Sequence, residues 1–439
     1  MGADILLGGQ WGDEGKAKIV DCLARRYDIV VRYQGGANAG HTVKWGAKTY
    51  IFHQIPSGVL SEHSVNVLGN GMVLDLEQLC GELDFLLNEG INVENRLKIS
   101  TRAFMVMPYH KLLDEVNEGQ STQTKIGTTK RGIGPAYIDK VGRMGLRIGD
   151  LTDWKHFEQR LTQDIQNKKN LIETYYKKPF PYTLAEILEQ LKAYFNRIAP
   201  YIVDTTYYLN HALTAGKQIL LEGAQGVGLD LDCGTYPYVT SSTTISGGAL
   251  SGSGIGPKWI NNVFGIFKAY TTRVGEGALP TLLEETELLQ MQQLGHEFGA
   301  TTGRPRKCGW FDGVQARYAV MVSGMTALAL TKIDILSAYD IIKVATHYEI
   351  NGNRMTEFPV NHKDLACARP IYKEFQGWKE PIDKTTRKYE DLPAKARVFI
   401  DFLEQFLNCP ITMISIGPER TALIERTSAP PINTHSIRP

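Results

Sequence analysis

Two short stretches set phosphate-binding and proton-moving side chains close together along the chain. The first is Gly8-Gly9-Gln10-Trp11-Gly12-Asp13-Glu14-Gly15-Lys16-Ala17-Lys18. The second is Gln34-Gly35-Gly36-Ala37-Asn38-Ala39-Gly40-His41-Thr42. A glycine-rich loop that opens a helix presents backbone N–H groups to an anion, and the helix N-terminus adds positive potential. Lys16 stands where its ammonium reaches a phosphate. The loop departs from the standard P-loop, which needs Gly, four residues, Gly, Lys, then Ser or Thr. Gln10 takes the place of the first glycine, and Ala17 takes the place of the hydroxyl residue. The hydroxyl that normally holds magnesium is therefore missing, and a carboxylate, Asp13, sits inside the loop. A carboxylate and an imidazole beside a phosphate cradle point to phosphoryl transfer with general acid–base help.

These residues need elements to position them. Ile5-Leu6-Leu7 reads as a strand that feeds the first loop, and the pattern from Lys16 to Leu23 turns helical. Asp28-Ile29-Val30-Val31-Arg32 reads as the strand that feeds the second. In a parallel sheet, two such loops open on the same edge, where ligands bind. Asp13 and His41 would then face one ligand. Further strand-like runs are Val65–Leu68, Gln218–Leu221, Val263–Ala269, Thr326–Thr331, Ile341–Thr346 and Ile411–Ile416. Their alternation with helical patterns predicts an α/β fold with a large central, mostly parallel sheet. Residues 101–210 read differently: a Gly-rich loop, then charged helical stretches around Trp154–Ile172 and Leu184–Ile198. We expect one domain over residues 1–439 that carries a mostly helical insertion there. The tail from Ser428 is rich in proline and polar residues and reads as surface.

Composition narrows the class. The chain has 439 residues, 43% of them hydrophobic, which supports a sizeable core. A net charge of +1 gives no footprint for nucleic acid or a membrane surface. No apolar run approaches the roughly 20 residues that span a bilayer. The N-terminus, Met1-Gly2-Ala3-Asp4, lacks the basic and apolar regions of a signal peptide. Leu6 stands where a myristoylation signal wants Ser or Thr. Six cysteines without close pairing suit a reducing cytoplasm and argue against structural zinc.

Gln10-Trp11-Gly12-Asp13-Glu14-Gly15-Lys16, together with Gly35-Gly36-Ala37-Asn38-Ala39-Gly40-His41-Thr42, resembles the adenylosuccinate synthetase family. The likeness runs from about residue 3 to residue 425. It implies an α/β fold with P-loop-like GTP-binding elements. It also implies a cytoplasmic, GTP-dependent ligase that forms adenylosuccinate from IMP and L-aspartate through a 6-phosphoryl-IMP intermediate. Asp13 would be the base that takes the N1 proton of IMP, and also a Mg2+ ligand with the Gly40 carbonyl. His41 would stabilise charge at O6 and at the transferring phosphoryl, then act as an acid; His53 would assist nearby. A loop aspartate also serves as a cap, and a lone loop histidine is usually structural.

The resemblance distributes the remaining roles by motif. Gly12, Gly15, Lys16, Gly40 and Thr42 would meet the phosphates of GTP, and Lys16 and Asn38 would also touch IMP. In Lys125-Ile126-Gly127-Thr128-Thr129-Lys130-Arg131, Thr129 would bind the IMP phosphate. Arg143 would reach that phosphate from the neighbouring subunit, which implies a homodimer with shared sites. Gln225, in Glu222-Gly223-Ala224-Gln225-Gly226, would pair with the purine edge, and Thr240 would meet the phosphate. Phe298-Gly299-Ala300-Thr301-Thr302-Gly303-Arg304-Pro305-Arg306 resembles the aspartate loop. There Ala300, Thr301, Thr302 and Arg304 would hold aspartate, with Arg304 also on IMP and Arg306 on the GTP side. Thr331-Lys332-Ile333-Asp334 matches the guanine-reading logic of GTPases: the Asp334 carboxylate accepts from guanine N1–H and N2–H₂ while the Lys332 stem lies along the ring. Ser415 and Gly417 would close the other side of the base.

Three positions depart from the bacterial pattern: Ala17 replaces a glycine, Cys233 a histidine and Thr243 an asparagine. They leave open a phage-type relative acting on dGMP and aspartate. A relative of that kind lacks the carboxylate equivalent to Asp13, so its presence favours the ordinary reaction. A regulatory GTP-binding switch is a third reading, but it has no use for Asp13, His41 and the Arg304 loop together.

Overall fold

Strands that are apolar without interruption are buried on both faces, and such strands form the centre of this protein. Ala3–Gly8 and Ala327–Thr331 are buried at every position, as expected where helices cover a parallel sheet on both sides. The computed structural model describes residues 2–46, 48–120, 127–299, 303–359, 361–383 and 385–426. Among them an 11-stranded sheet runs in the order Leu423–Glu425, Ile411–Ser415, Ala327–Thr331, Ile260–Lys268, Ala3–Gly8, Ile219–Gly226, Ile29–Gly35, Val65–Leu74, Leu97–Ser100, Ile202–Val203. Phe104–Met105 adds a further pairing to Val65–Leu74. All the pairings are parallel except that of the edge strand Leu423–Glu425. Strand ends therefore share one carboxyl edge.

Side chains alternate across the sheet, so neighbouring residues enter different cores. Ile5 and Leu7 join a large apolar cluster with Val31, Leu221 and Phe267. Leu6 points the other way, into a cluster with Ile19, Val20 and Leu23 of the Lys16–Ala24 helix. The range 101–210 carries helices at Pro108–Gln120, Ile133–Val141, Trp154–Asn170 and Leu184–Ile198. Asp153 caps the third through the His156 N–H, and a Thr183/Glu186 capping box starts the fourth. Phe157, Leu161, Leu188 and Leu191 from these helices share a core with Leu68, Leu97 and Ile99 of the sheet.

Two features differ from the sequence-based expectation. The Ile341–Thr346 run lengthens to Ile341–Ile350 and joins a separate sheet with Phe311–Asp312, Asn353–Met355 and Arg369–Gln376. Its antiparallel pairing with Arg369–Gln376 keeps one face partly open. An antiparallel hairpin, His41–Trp45 with Lys48–Phe52, follows the second glycine loop directly. His41 is thus the first residue of a strand and not the last of a loop.

Candidate active site

The first loop is shaped from below by a carboxylate. Glu14 is fully buried; its Oε1 accepts from the N–H of Gln10 (3.1 Å) and Gly12 (2.8 Å), and its Oε2 from Lys16 Nζ (2.5 Å). A Cβ on Gly8 or on Gly226 would sit 2.4 Å from this carboxylate, so both positions require glycine. Gly12 (φ 88°), Asp13 (φ 60°) and Gly15 (φ 86°) take left-handed backbone, and Gly15 caps the Lys16–Ala24 helix. Aspartate tolerates this conformation better than most residues. It turns the Asp13 side chain outward, 36% exposed, while Glu14 turns in. Ala17 is buried in the apolar cluster that holds Val43 and Phe52.

The second loop ends in a buried polar group. His41 Nδ1 lies 2.9 Å from Glu222 Oε1, 3.3 Å from Ser57 Oγ and 3.2 Å from Arg32 Nη1. Glu222 also accepts from the Ser57 backbone N–H (2.9 Å) and hydroxyl (2.7 Å). Burial, then the Arg32 charge, push the His41 imidazolium down to about 4. Burial works to raise the Glu222 carboxyl, but His41, Arg32 and Ser57 outweigh it and bring it below its ordinary value. A neutral His41 donates from Nδ1–H to Glu222, which leaves Nε2 for a ligand. His53 Nδ1 contacts the Ala39 carbonyl (2.6 Å), one residue before Gly40. The Asn38 side chain accepts from the Gly36 N–H.

Between these loops runs Ile219–Gly226, paired with both strands that feed them. Gln225, next to its last residue, takes φ 56°, with Oε1 buried and unpartnered among the described residues. Gly12 and Gly35 both approach Gln225: a Cβ on Gly12 would lie 3.7 Å from its Cα, and one on Gly35 3.3 Å from Oε1. The Thr240 N–H donates to the Leu229 carbonyl (2.8 Å), which sets the loop beyond this strand.

Two strands across the sheet from Ala3–Gly8, Ala327–Thr331 runs into the Lys332–Asp334 turn. The Thr331 hydroxyl donates to the Glu14 carbonyl (2.6 Å), joining that turn to the first loop. Lys332 takes φ 58°, and Asp334 Oδ1 is buried without a partner among the described residues. Burial raises the Asp334 carboxyl, against Lys332 and Lys18. Lys18 Nζ donates to Ser415 Oγ (2.6 Å) and to the Gly417 (2.6 Å) and Ala422 (2.7 Å) carbonyls, so the helix after the first loop holds the Ser415–Gly417 segment in place.

Arg306 connects the parts. Its Nε lies 3.0 Å from Asp13 Oδ2, and its Nη1 donates to Glu297 Oε2 (2.6 Å). Glu297 Oε1 accepts from Lys332 Nζ (2.9 Å). Arg304 stands exposed in the same loop. Ala300, Thr301 and Thr302 lie outside the described residues. Thr129 is exposed in the segment before the Ile133–Val141 helix, whose first residue would meet a Cβ on Gly36 at 2.8 Å. Tyr137 of that helix accepts from the Gly35 N–H through its hydroxyl (3.0 Å). Arg143 does not join this group within its own chain. It sits exposed at φ 63° beyond the other end of the helix. Cys233 and Thr243 lie outside the two glycine loops: the Cys233 carbonyl accepts from the Tyr318 hydroxyl, and Thr243 packs against Gly248.

Glu14, Glu222 and Glu297 carry much of this geometry, and sequence reasoning assigned them no role. The signal for Glu222 was present: a carboxylate at the end of an apolar strand is rarely buried unless paired.

A family model described as adenylosuccinate synthetase matches residues 5–424. The adenylosuccinate synthetase of Carboxydothermus hydrogenoformans is 50% identical over 423 residues, covering 96% of this chain and 98% of its own. That of Heliobacterium modesticaldum is 48% identical over 427 residues, covering 97% and 99%. Among solved structures, fully ligated adenylosuccinate synthetase from Plasmodium falciparum is 36% identical. It superimposes with a TM-score of 0.92 over 97% of this chain and 100% of its own. The cyanophage S-2L succinoaminodeoxyadenylate synthetase bound to dGMP and dATP is 18% identical, with a TM-score of 0.60 over 97% of this chain and 95% of its own, a likeness of fold alone.

Proposed function

The chain belongs to the adenylosuccinate synthetase family, and from that premise we propose how its site forms adenylosuccinate from IMP and L-aspartate at the expense of GTP. Asp13 takes the N1 proton of IMP, which moves electron density onto O6. O6 attacks the γ-phosphorus, GDP leaves, and the poor oxo leaving group becomes a phosphate ester. The aspartate amine then adds at C6, sheds a proton and expels phosphate. His41, held by Glu222 through Nδ1–H, takes a proton at Nε2 when the anionic ligands arrive, because their negative charge favours the imidazolium, and Nε2–H then donates to O6 and the transferring phosphoryl. Lys16 and the loop amides take the phosphates of GTP, and Thr129 and Thr240 the phosphate of IMP. Arg304 and the segment before it take the aspartate carboxylates.

One observation carries this reading. Among the described residues, Gln225 Oε1 and Asp334 Oδ1 are buried acceptors without partners. An unpaired buried polar atom costs roughly 1–3 kcal/mol, so each is suited to a donor that a ligand brings. Guanine N1–H and N2–H₂ suit the Asp334 carboxylate, and the hypoxanthine edge suits the Gln225 amide. Adenine, with an acceptor at N1, does not suit Asp334.

Asp13 and the Gly40 carbonyl fit a magnesium ion. Glu14 is spent on Lys16 and two amides, whereas Asp13 remains partly exposed. Two protein oxygens suit an ion that keeps the rest of its shell for water and phosphate. When bound, it neutralises charge on the GTP phosphates.

The working unit is a homodimer. Arg143 lies one helix away from the second loop; at 1.5 Å per residue, nine residues span about 13 Å. Beside it Ile138, Val141 and Met144 are exposed at 64%, 77% and 43%, an apolar face for a second copy. A cytoplasmic setting is supported by six free cysteines, and no described helix is long and apolar enough to cross a membrane.

The test is phosphate release with GTP and IMP, with and without aspartate, against ATP and dGMP as replacements. Release that requires GTP, IMP and aspartate together is the expected result. Equal release with dGMP, or release without aspartate, overturns the reading.

A further inference from the structure

The buried carboxylate of Glu297 is bonded by four groups from three parts of the chain. Its Oε1 accepts from Lys268 Nζ (2.9 Å), Lys332 Nζ (2.9 Å) and the Tyr270 hydroxyl (2.5 Å), and its Oε2 from Arg306 Nη1 (2.6 Å). Its backbone is engaged as well: the Arg306 N–H donates to the Glu297 carbonyl (2.9 Å). That double link, with the Phe298–Pro305 bridge and the Gly299 N–H on the Arg304 carbonyl (2.8 Å), closes the root of the 298–305 loop. Lys332 opens the turn that carries Asp334. We propose that Glu297 is a positioning residue that sets the guanine turn and the root of the aspartate loop together, through Lys332 and Arg306.

The charges favour this over a purely structural ion cluster. Lys268, Lys332 and Arg306 converge on one carboxylate, Glu297, while Asp13 lies beside Arg306 and Asp334 beside Lys332, so the network runs from the core to both ends of the site. Burying a charge network is a poor route to stability, and an apolar filling would serve a core better. Lys268 is the interior anchor, fully buried, while Lys332 and Arg306 lead outward to the site.

The inference rests on reading Thr331–Asp334 as the guanine end and 298–305 as the aspartate loop. Its test uses the whole enzyme and three variants. Glu297→Gln keeps the shape and loses the charge. The double variant Glu297→Gln/Lys268→Met also removes the buried cation left unpaired, and so separates folding from positioning. We expect both to raise KM for GTP and for aspartate at least about tenfold, the loss typical of a misplaced charge-assisted contact. KM for IMP, whose residues other than Asp13, Lys16 and Arg304 lie on the other side of the first loop, should rise less than KM for GTP or for aspartate. A folded double variant with wild-type KM for GTP and aspartate overturns the proposal. So does one in which all three KM values rise together with a lost melting temperature, or one that does not fold. Asp334→Asn is the control: if it leaves GTP unaffected, the guanine reading itself fails. If it weakens GTP while the Glu297 variants do not, only the positioning role fails.

Discussion

Asp13 combines a strained backbone with an exposed carboxylate, and both follow from its neighbours. Glu14 draws the loop inward through two amides, so the preceding residue must turn out at φ 60°. Of ten described non-glycine residues at positive φ, Asp13, Arg143, Gln225 and Lys332 carry roles in the proposed site. Strain of this kind persists where the surroundings over-determine it, and it gathers at functional positions. Asp13→Asn keeps shape and backbone preference but loses basicity. Turnover should fall by the roughly 10²–10⁴ expected of a general base, and near-normal turnover at saturating magnesium would sink the assignment. His41 gives a prediction of another kind. Its folded value of about 4 lies below the ordinary 6.5, so between those values the unfolded chain binds the extra proton. The stability contributed by neutral His41 is therefore full above about pH 6.5 and lost as pH falls toward 4. At about 1.4 kcal/mol for each pH unit, the full loss is on the order of 3 kcal/mol. Urea unfolding of wild type and His41→Asn at pH 7 and pH 4.5 should show the advantage of wild type shrinking by about 2 kcal/mol. Parallel pH dependences would mean that His41 is not buried neutral.

At the scale of elements, the proposed guanine turn depends on three others. The Thr331 hydroxyl ties it to the first loop, Lys332 ties it to Glu297, and Lys18 holds the Ser415–Gly417 segment opposite. Asp334→Asn removes the acceptor pair but leaves these ties. It should weaken GTP and narrow the gap to xanthosine triphosphate, whose ring carries an acceptor where guanine has its amine. Full retention of GTP preference, measured as kcat/KM for the two nucleotides, would place guanine recognition elsewhere. Much of this arrangement was legible in the sequence because strands buried on both faces read as plain apolar runs. Ile5–Leu7, Ile29–Val31 and Val65–Leu68 are all found inside strands, with ends moved by a few residues. The Ile341 run was legible as a strand but not as a member of a second sheet, since apolarity does not record a partner. The His41–Phe52 hairpin was missed because its exposed positions mix polar residues with Trp45 and Ile51, so no uninterrupted apolar run marks it. The motifs marked where Asp13, His41 and Asp334 stand. They could not show Glu222 beneath His41, whose bonds to Ser57 join residues 165 apart. Nor could they show Glu297 beneath Lys332, 35 residues away. Such carboxylates act through contacts that only the folded chain makes.

At the scale of the whole molecule, the open question is how one chain completes its phosphate site. Arg143 stands at φ 63° in the turn after the Ile133–Val141 helix, exposed, and no carboxylate among the described residues pairs with it. The near end of that helix packs on the second glycine loop of its own chain, and its far end carries Arg143 away, beside exposed Ile138, Val141 and Met144. A guanidinium presented from an apolar face suits delivery to a second copy, where it would grip a phosphate bidentately. Arg143→Leu removes a charged partner from a phosphate, typically about 1.5–3 kcal/mol. KM for IMP should rise by roughly one to two orders of magnitude with the melting temperature unchanged. Mixing Arg143→Leu subunits with Asp13→Asn subunits, at IMP concentrations well below the raised KM where each alone is weakly active, separates the two possible geometries. In a mixed dimer, one site draws Asp13 from the first chain and Arg143 from the second and is intact; the other site carries both lesions. Random pairing makes about half the dimers mixed, each with one good site, so about a quarter of wild-type activity should return if isologous exchange is complete. No recovery, with subunit exchange demonstrated independently, would mean that Arg143 serves its own chain or no site at all.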